Sequence, residues 1–96
     1  MPTYELLPGF LRDLENLTPA QRRAFRAAAR RFVEDLAERR FRAGLRVKRV
    51  QAAAGIFEMT WAPDGRATFQ FGPEVVAGQP HVIWRRIGRH EILARP

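Results

Sequence analysis

The sequence predicts a single α+β domain in which two N-terminal helices pack on a small antiparallel sheet. Three observations predict it. A complete helix-start signal leads into one apolar stripe at helical spacing, the periodicity switches to two-residue alternation after Gly44, and Pro63-Asp64-Gly65 joins two alternating segments as a hairpin. Ninety-six residues suffice for one two-layer core and not for a second domain, so residues 1–96 read as one unit.

Residues 3–7 form a short mixed segment suited to an edge strand, broken by Pro8-Gly9. Phe10, Leu14 and Leu17 recur at helical spacing, and this first helix stops near Asn16 and Leu17 because Pro19 disfavours helical backbone just before it. Thr18-Pro19-Ala20-Gln21 fits a capping box, with threonine at the cap, proline at the first helical position and glutamine three residues on. Phe25, Ala28, Ala29, Phe32, Val33 and Leu36 then make one stripe able to lie across a sheet, in a helix running to about Arg40. Its exposed face is lopsided, with Arg22, Arg23, Arg26, Arg30 and Arg31 first and Glu34, Asp35 and Glu38 after. That order opposes the helix dipole at about 0.3–1 kcal/mol per charge. It reads either as a basic ridge for RNA, DNA or an acidic partner, or as a solvated face laced by Arg30–Glu34 and Arg31–Asp35 pairs.

Ala43-Gly44 signals the helix stop, after which Leu45 and Val47 alternate with Arg46 and Lys48 in a strand with one apolar and one basic face. Phe57, Met59 and Trp61 then oppose Ile56, Glu58 and Thr60, while Ala67, Phe69 and Phe71 oppose Arg66, Thr68 and Gln70. A three-residue loop with Gly65 in the left-handed position pairs Trp61 with Ala67, Met59 with Phe69 and Phe57 with Phe71. Glu58 and Arg66 then share the polar face, about 14 Å apart by strand rise. Beyond Gly78-Gln79-Pro80, residues 81–87 read as a buried strand carrying Arg85 and Arg86; Gly88 releases the chain and His90 follows the strand end. Trp61 and Trp84 read as core residues rather than base-stacking platforms.

The formal net charge is +7, carried by sixteen arginines and the single lysine Lys48. Such a field draws polyanions, above all nucleic acid, and the arginine fork holds phosphate bidentately. A GC-rich coding sequence also supplies arginine without any function. The lack of cysteine excludes disulfides, thiol nucleophiles and thiolate metal sites, and the isolated histidines His81 and His90 make no zinc constellation, so no metal or cofactor is expected. No apolar run approaches the roughly 18 residues of a membrane span. Met1-Pro2-Thr3 carries no basic leader, and a soluble cytoplasmic protein without membrane partners is the expectation.

The order of these segments resembles the RelE/ParE superfamily of small bacterial toxins from toxin-antitoxin modules. The resemblance rests on Gly44-Leu45-Arg46-Val47-Lys48, Gly55-Ile56-Phe57-Glu58-Met59, Gly65-Arg66-Ala67-Thr68-Phe69 and Ile87-Gly88-Arg89-His90-Glu91-Ile92-Leu93, behind two N-terminal helices. It implies an open, strongly twisted sheet, and an endoribonuclease that cuts mRNA in the ribosomal A site until a co-encoded antitoxin wraps it. By position, Arg66 holds the scissile phosphate, His90 serves as acid or base and Glu58 is a further candidate base; imidazole chemistry suits proton transfer near neutral pH. Arg46, Lys48, Arg85, Arg86 and Arg89 are candidate RNA contacts. The chain departs from the pattern at Glu58 and Thr60, where prototype members carry paired lysines, and at Leu93, where they carry tyrosine. The sister branch of the superfamily poisons DNA gyrase by protein contact, and a non-catalytic binding module on the same fold is a third reading.

Overall fold

The computed structural model describes residues 1–96. Its sheet runs in the order β1-β5-β4-β3-β2, with β1 at Thr3–Leu6, β2 at Lys48–Arg49, β3 at Phe57–Ala62, β4 at Gly65–Gly72 and β5 at His81–Arg89. Helix α1, Pro8–Glu15, and helix α2, Pro19–Ala37, lie between β1 and β2, and 3-10 turns stand at Ala43–Leu45 and His90–Ala94. The α+β arrangement of the sequence reading is present, with one change of topology. β1 runs parallel to β5, so the sheet is mixed rather than wholly antiparallel. Thr3 pairs with His81, and that pairing is pinned by side chains: the buried His81 ring sits 2.7 Å from Thr3 Oγ1 through Nδ1 and 2.9 Å from Glu5 Oε1 through Nε2.

Helix α1 begins at Pro8, where a missing N–H costs nothing. Helix α2 carries the full capping box: the Gln21 N–H donates to Thr18 Oγ1 at 3.1 Å and the Thr18 N–H donates to Gln21 Oε1 at 2.8 Å. It ends at Ala37, short of Arg40, because Arg39 turns left-handed (φ 56°) and the chain folds back onto Asp35. That carboxylate accepts the Arg42 backbone N–H and two guanidinium N–H groups, each at 2.8 Å. The strand expected from Leu45 begins only at Lys48, since Ala43–Leu45 coil into a 3-10 turn closed by Arg46 at φ 48°. At the downstream end of β5, Gly88 stays within the strand instead of releasing the chain.

The core lies between the sheet and the helices. Phe32 of α2 is its hub, with ring centroids 4.9 Å from Phe69, 5.2 Å from Trp84 and 5.2 Å from Phe41. Phe10 from α1 reaches the same cluster, 6.0 Å from Trp84. Both tryptophans are buried, as core residues should be. Trp84 and Ile87 are three residues apart yet face the same core, because β5 bulges between the Thr68–Arg86 and Phe69–Trp84 pairs. Past the end of β1, helix α1 takes over the edge of β5: Leu7 N–H donates to Trp84 O at 3.0 Å and Asp13 accepts the Ile87 N–H at 3.0 Å.

The β3–β4 hairpin has a different register from the one read in the sequence. Phe57 pairs with Phe69, Glu58 with Thr68, Met59 with Ala67 and Thr60 with Arg66, and the ladder shifts at Trp61 so that Ala62 meets Gly65. Gly65 is the first residue of β4 and has no positive φ. Its role is space: a Cβ there would stand 2.5 Å from Trp61 Cε2. The bulge tips the indole over the glycine, shortening the connection to Pro63-Asp64.

Candidate active site

The register organises the sheet face opposite the helices into rows. One row crosses four strands as Lys48, Glu58, Thr68 and Arg86; the next consists of Thr60, Arg66 and Gly88. Arg66 is therefore one pair spacing from the Glu58 row, about 7 Å along the strand and not 14 Å. The shift at Trp61 is what shortens the separation.

Proximity of backbone does not join the three proposed catalytic residues into one cluster. Glu58 is 7% exposed, and its Oε1 lies 4.0 Å from Lys48 Nζ. Beside it Thr68 is fully buried with an unpartnered hydroxyl. The Arg66 guanidinium turns the other way, onto the hairpin: Nη1 donates to Gly65 O at 2.9 Å and reaches Pro63 O at 3.4 Å. His90 is exposed at the start of the last 3-10 turn. That turn packs on β4 and β5 through buried Ile92, and a Cβ at Gly88 would lie 2.9 Å from Ile92 Cγ2, so glycine lets the turn close on the sheet.

Arg66 and His90 do meet around a residue that sequence reading treated only as a turn former. Asp64, at the hairpin tip, accepts a 2.6 Å hydrogen bond from Arg89 Nε. That bond, with the positive fields of Arg89, Arg66 and His90, holds the Asp64 carboxyl below its ordinary range. In the other direction, Asp64 raises Arg89. Three groups suited to a phosphate and a proton thus surround one carboxylate at the exposed end of β4 and β5. The signal was present in the sequence as Asp64 beside Arg66, but only the Gly65–Arg89 pairing brings the third member in.

The other candidate RNA contacts divide by what already holds them. Arg46 and Lys48 are exposed. Arg86 is engaged by Asp13 through Nε at 2.6 Å and Nη2 at 3.2 Å, and by Arg95 O at 3.1 Å. Arg85 hydrogen-bonds Gln70 Oε1 and donates to Pro96 O at 3.1 Å. These two arginines fasten α1 and residues 95–96 to the sheet. On α2, neither Arg30–Glu34 nor Arg31–Asp35 forms; Arg42 takes both acids, at 3.2 Å and 2.8 Å. The helix arginines are left without those partners.

No family model matches the chain, and no curated protein matches it. Solved structures do. A chain of the E. coli DinJ–YafQ complex superposes with a TM-score of 0.63 at 16% identity, covering 97% of this chain and 98% of that one. A second structure of the E. coli DinJ–YafQ toxin–antitoxin complex gives 0.63 at 16% identity over 96% of both chains. YafQ from E. coli strain BL21(DE3) gives 0.61 at 15%, over 97% of this chain and 98% of that chain. The chain is similar end to end to YafQ, a RelE-family toxin, and the likeness shows the fold. No helix is long and apolar enough to cross a membrane.

Proposed function

We propose that this chain is the toxin of a toxin–antitoxin pair, and that it cleaves mRNA on the ribosome at the Arg66, Arg89 and His90 cluster. One observation carries the reading: on a fold shared throughout with YafQ, the sheet register sets Arg66 opposite Gly88, so the arginine strand and the histidine turn converge at one exposed corner. In the reaction, a ribose 2′-oxygen forms a bond to its adjacent phosphorus, the bond from phosphorus to the 5′-oxygen breaks, and a cyclic phosphate remains. The 2′-hydroxyl gives up its proton and the departing 5′-oxygen takes one, His90 serving one of these transfers and water the other, while Arg66 and Arg89 stabilise charge growing on the phosphate oxygens. Asp64 orients Arg89. Glu58, buried beside Lys48, shapes the floor and its field rather than moving the proton. With a small, exposed set of groups, the enzyme leaves alignment of the message to the ribosome, where positioning lowers the barrier.

Tightly induced expression in bacteria tests the proposal, comparing wild type with Arg66→Ala/His90→Ala and mapping mRNA 5′ ends on translated and untranslated messages. Growth arrest with translation-dependent cuts that vanish in the double variant is the expected result. Normal growth with intact mRNA, from folded protein, overturns it. A non-catalytic binding module is the second reading, favoured by the commitment of Arg85 and Arg86 to internal contacts. Arrest with intact mRNA and broken DNA would point instead to gyrase.

A further inference from the structure

On the helix side of the sheet, β1 and α2 do not close on each other. Between them lies a hollow of about 430 Å³, in which ten of the fourteen lining residues are hydrophobic. Leu6, Phe25, Ala29 and Val33 wall it and are half-buried, and it reaches inward to Phe10 and Trp84 of the aromatic core. Its α2 wall runs from Arg22 to Val33, about 17 Å at the helical rise. Small-molecule sites are typically about 300–1,000 Å³ and mostly apolar, with a few polar groups that fix orientation. The hollow lies behind the face that carries Glu58 and Arg66, and the proposed cleavage does not use it.

Charge stands at one end only. Arg22 and Arg26, about one turn apart near the start of α2, are the only charged residues that line the hollow. Neither guanidinium has an acidic partner. Arg22 donates through Nε to Leu14 O at 3.2 Å, which steadies its arm and leaves both Nη groups without a protein acceptor. Past Arg26 the α2 wall consists of Ala29, Phe32 and Val33, with no polar side chain. A ribose-phosphate strand, charged at every nucleotide, would set phosphates against that apolar wall. A molecule with one anionic head and a long apolar body matches both ends, the head taking the arginine forks and the body displacing water from the wall. An extended alkyl chain follows the length of the wall, whereas a compact ring system would not reach both the arginines and Val33.

We propose that the hollow between β1 and α2 binds a free medium-chain carboxylate, its head on Arg22 and Arg26 and its alkyl tail laid along Ala29 and Val33. This site is independent of RNA cleavage.

Calorimetric titration of the whole chain with octanoate, decanoate and dodecanoate, each below its micelle concentration and paired with the alcohol of equal length, tests the site. Saturable binding of one molecule per chain is expected, with methyl resonances of Leu6, Ala29 and Val33 shifting on addition. Each added methylene tightens binding about fourfold until the hollow is full. The acid binds about tenfold more tightly than its alcohol, through charge-assisted hydrogen bonds. Arg22→Gln/Arg26→Gln removes that preference, whereas Arg23→Gln/Arg31→Gln, the same charge change on α2 outside the hollow, leaves affinity within about twofold. Ala29→Trp, which fills the hollow, abolishes binding, with circular dichroism showing that it folds; if it does not fold, the arginine pairs and the length series decide alone. The proposal is overturned by no saturable binding, by affinity that does not grow with chain length, by acids and alcohols binding alike, or by equal losses in both arginine pairs. It is also overturned by a dimer in sedimentation that decanoate does not dissociate, which would seat a second copy of the chain there, or by binding to anionic vesicles that decanoate does not compete, which would give the face to a lipid surface.

Discussion

Gly65→Ala is the most direct probe of the hairpin, because two explanations of that glycine give opposite orders of stability. A glycine needed for left-handed backbone is replaced better by asparagine than by alanine. A glycine needed for space is replaced better by alanine, the smaller side chain. The structure commits to space, since Gly65 is extended and a Cβ would lie 2.5 Å from Trp61 Cε2, 2.6 Å from Cδ2 and 2.8 Å from Cζ2. Three ring atoms nearly 1 Å inside ordinary contact force the indole to move, and overpacking of this kind costs about 1–3 kcal/mol. For a domain of this size each kcal/mol lowers the melting temperature by about 4–8 °C. Urea and thermal unfolding of Gly65→Ala, Gly65→Asn and Gly65→Ala/Trp61→Ala provide the assay. The order expected is wild type above alanine above asparagine, with the double variant destabilised less than the sum of its parts because the ring that clashes is gone. An alanine variant as stable as wild type, or an asparagine variant more stable than alanine, would refute the steric account and restore the three-residue loop.

Other expectations follow from the same geometry. Phe32→Ala, at the hub of the aromatic core, should lose about 3–5 kcal/mol, a large share of the roughly 5–15 kcal/mol available to a domain of this kind, read as the urea midpoint. Asp13→Ala removes the acceptor for Arg86 and for the Ile87 N–H, and should cost about 1.5–3 kcal/mol. The Arg42 guanidinium hydrogen bonds, and after them its backbone N–H, lower the Asp35 carboxyl from 3.8 to about 2. A folded value below the unfolded one makes its contribution complete above pH 4 and lost as pH falls through 2, so Asp35→Asn should flatten the acid limb of the stability profile in that window. His90→Ala should lower translation-dependent cleavage by about 10²–10⁴ at an unchanged urea midpoint, because the ring is exposed; loss of stability in step with cleavage would argue for a structural histidine.

Local signals were legible where the physics is local. The capping box of α2 needs four consecutive residues, and every one of its bonds is present. The apolar stripe of α2 and the alternation in β3 and β4 likewise depend only on neighbours, and they located the core. The register escaped because Pro63-Asp64-Gly65 suits either a left-handed glycine or a glycine lying under an indole, and alternation is unchanged by a two-residue slip. The parallel partner of β1 escaped because nothing within residues 3–7 encodes a strand so distant in sequence. At the candidate site, Arg66 and His90 were legible as residue types on strand ends. Asp64 was hidden behind its turn-forming habit, and the engagement of Arg85 and Arg86 depends on Asp13, Gln70 and residues 95–96, contacts between segments that no periodicity links.

The parallel pairing of β1 with β5 sets a clock on biosynthesis. Thr3 must wait for His81, 78 residues later, before its hydrogen bonds can form. At about 5–20 residues per second the interval is about 4–16 s. Throughout it the emerging chain has helices without the strand that carries Trp84, so the aromatic core is missing one wall, and β4 has no β5 to receive Arg66. The corner where Arg66, Arg89 and His90 converge is thus assembled only once β5 has followed β4 out, in the same step that gives β1 its partner and completes the sheet.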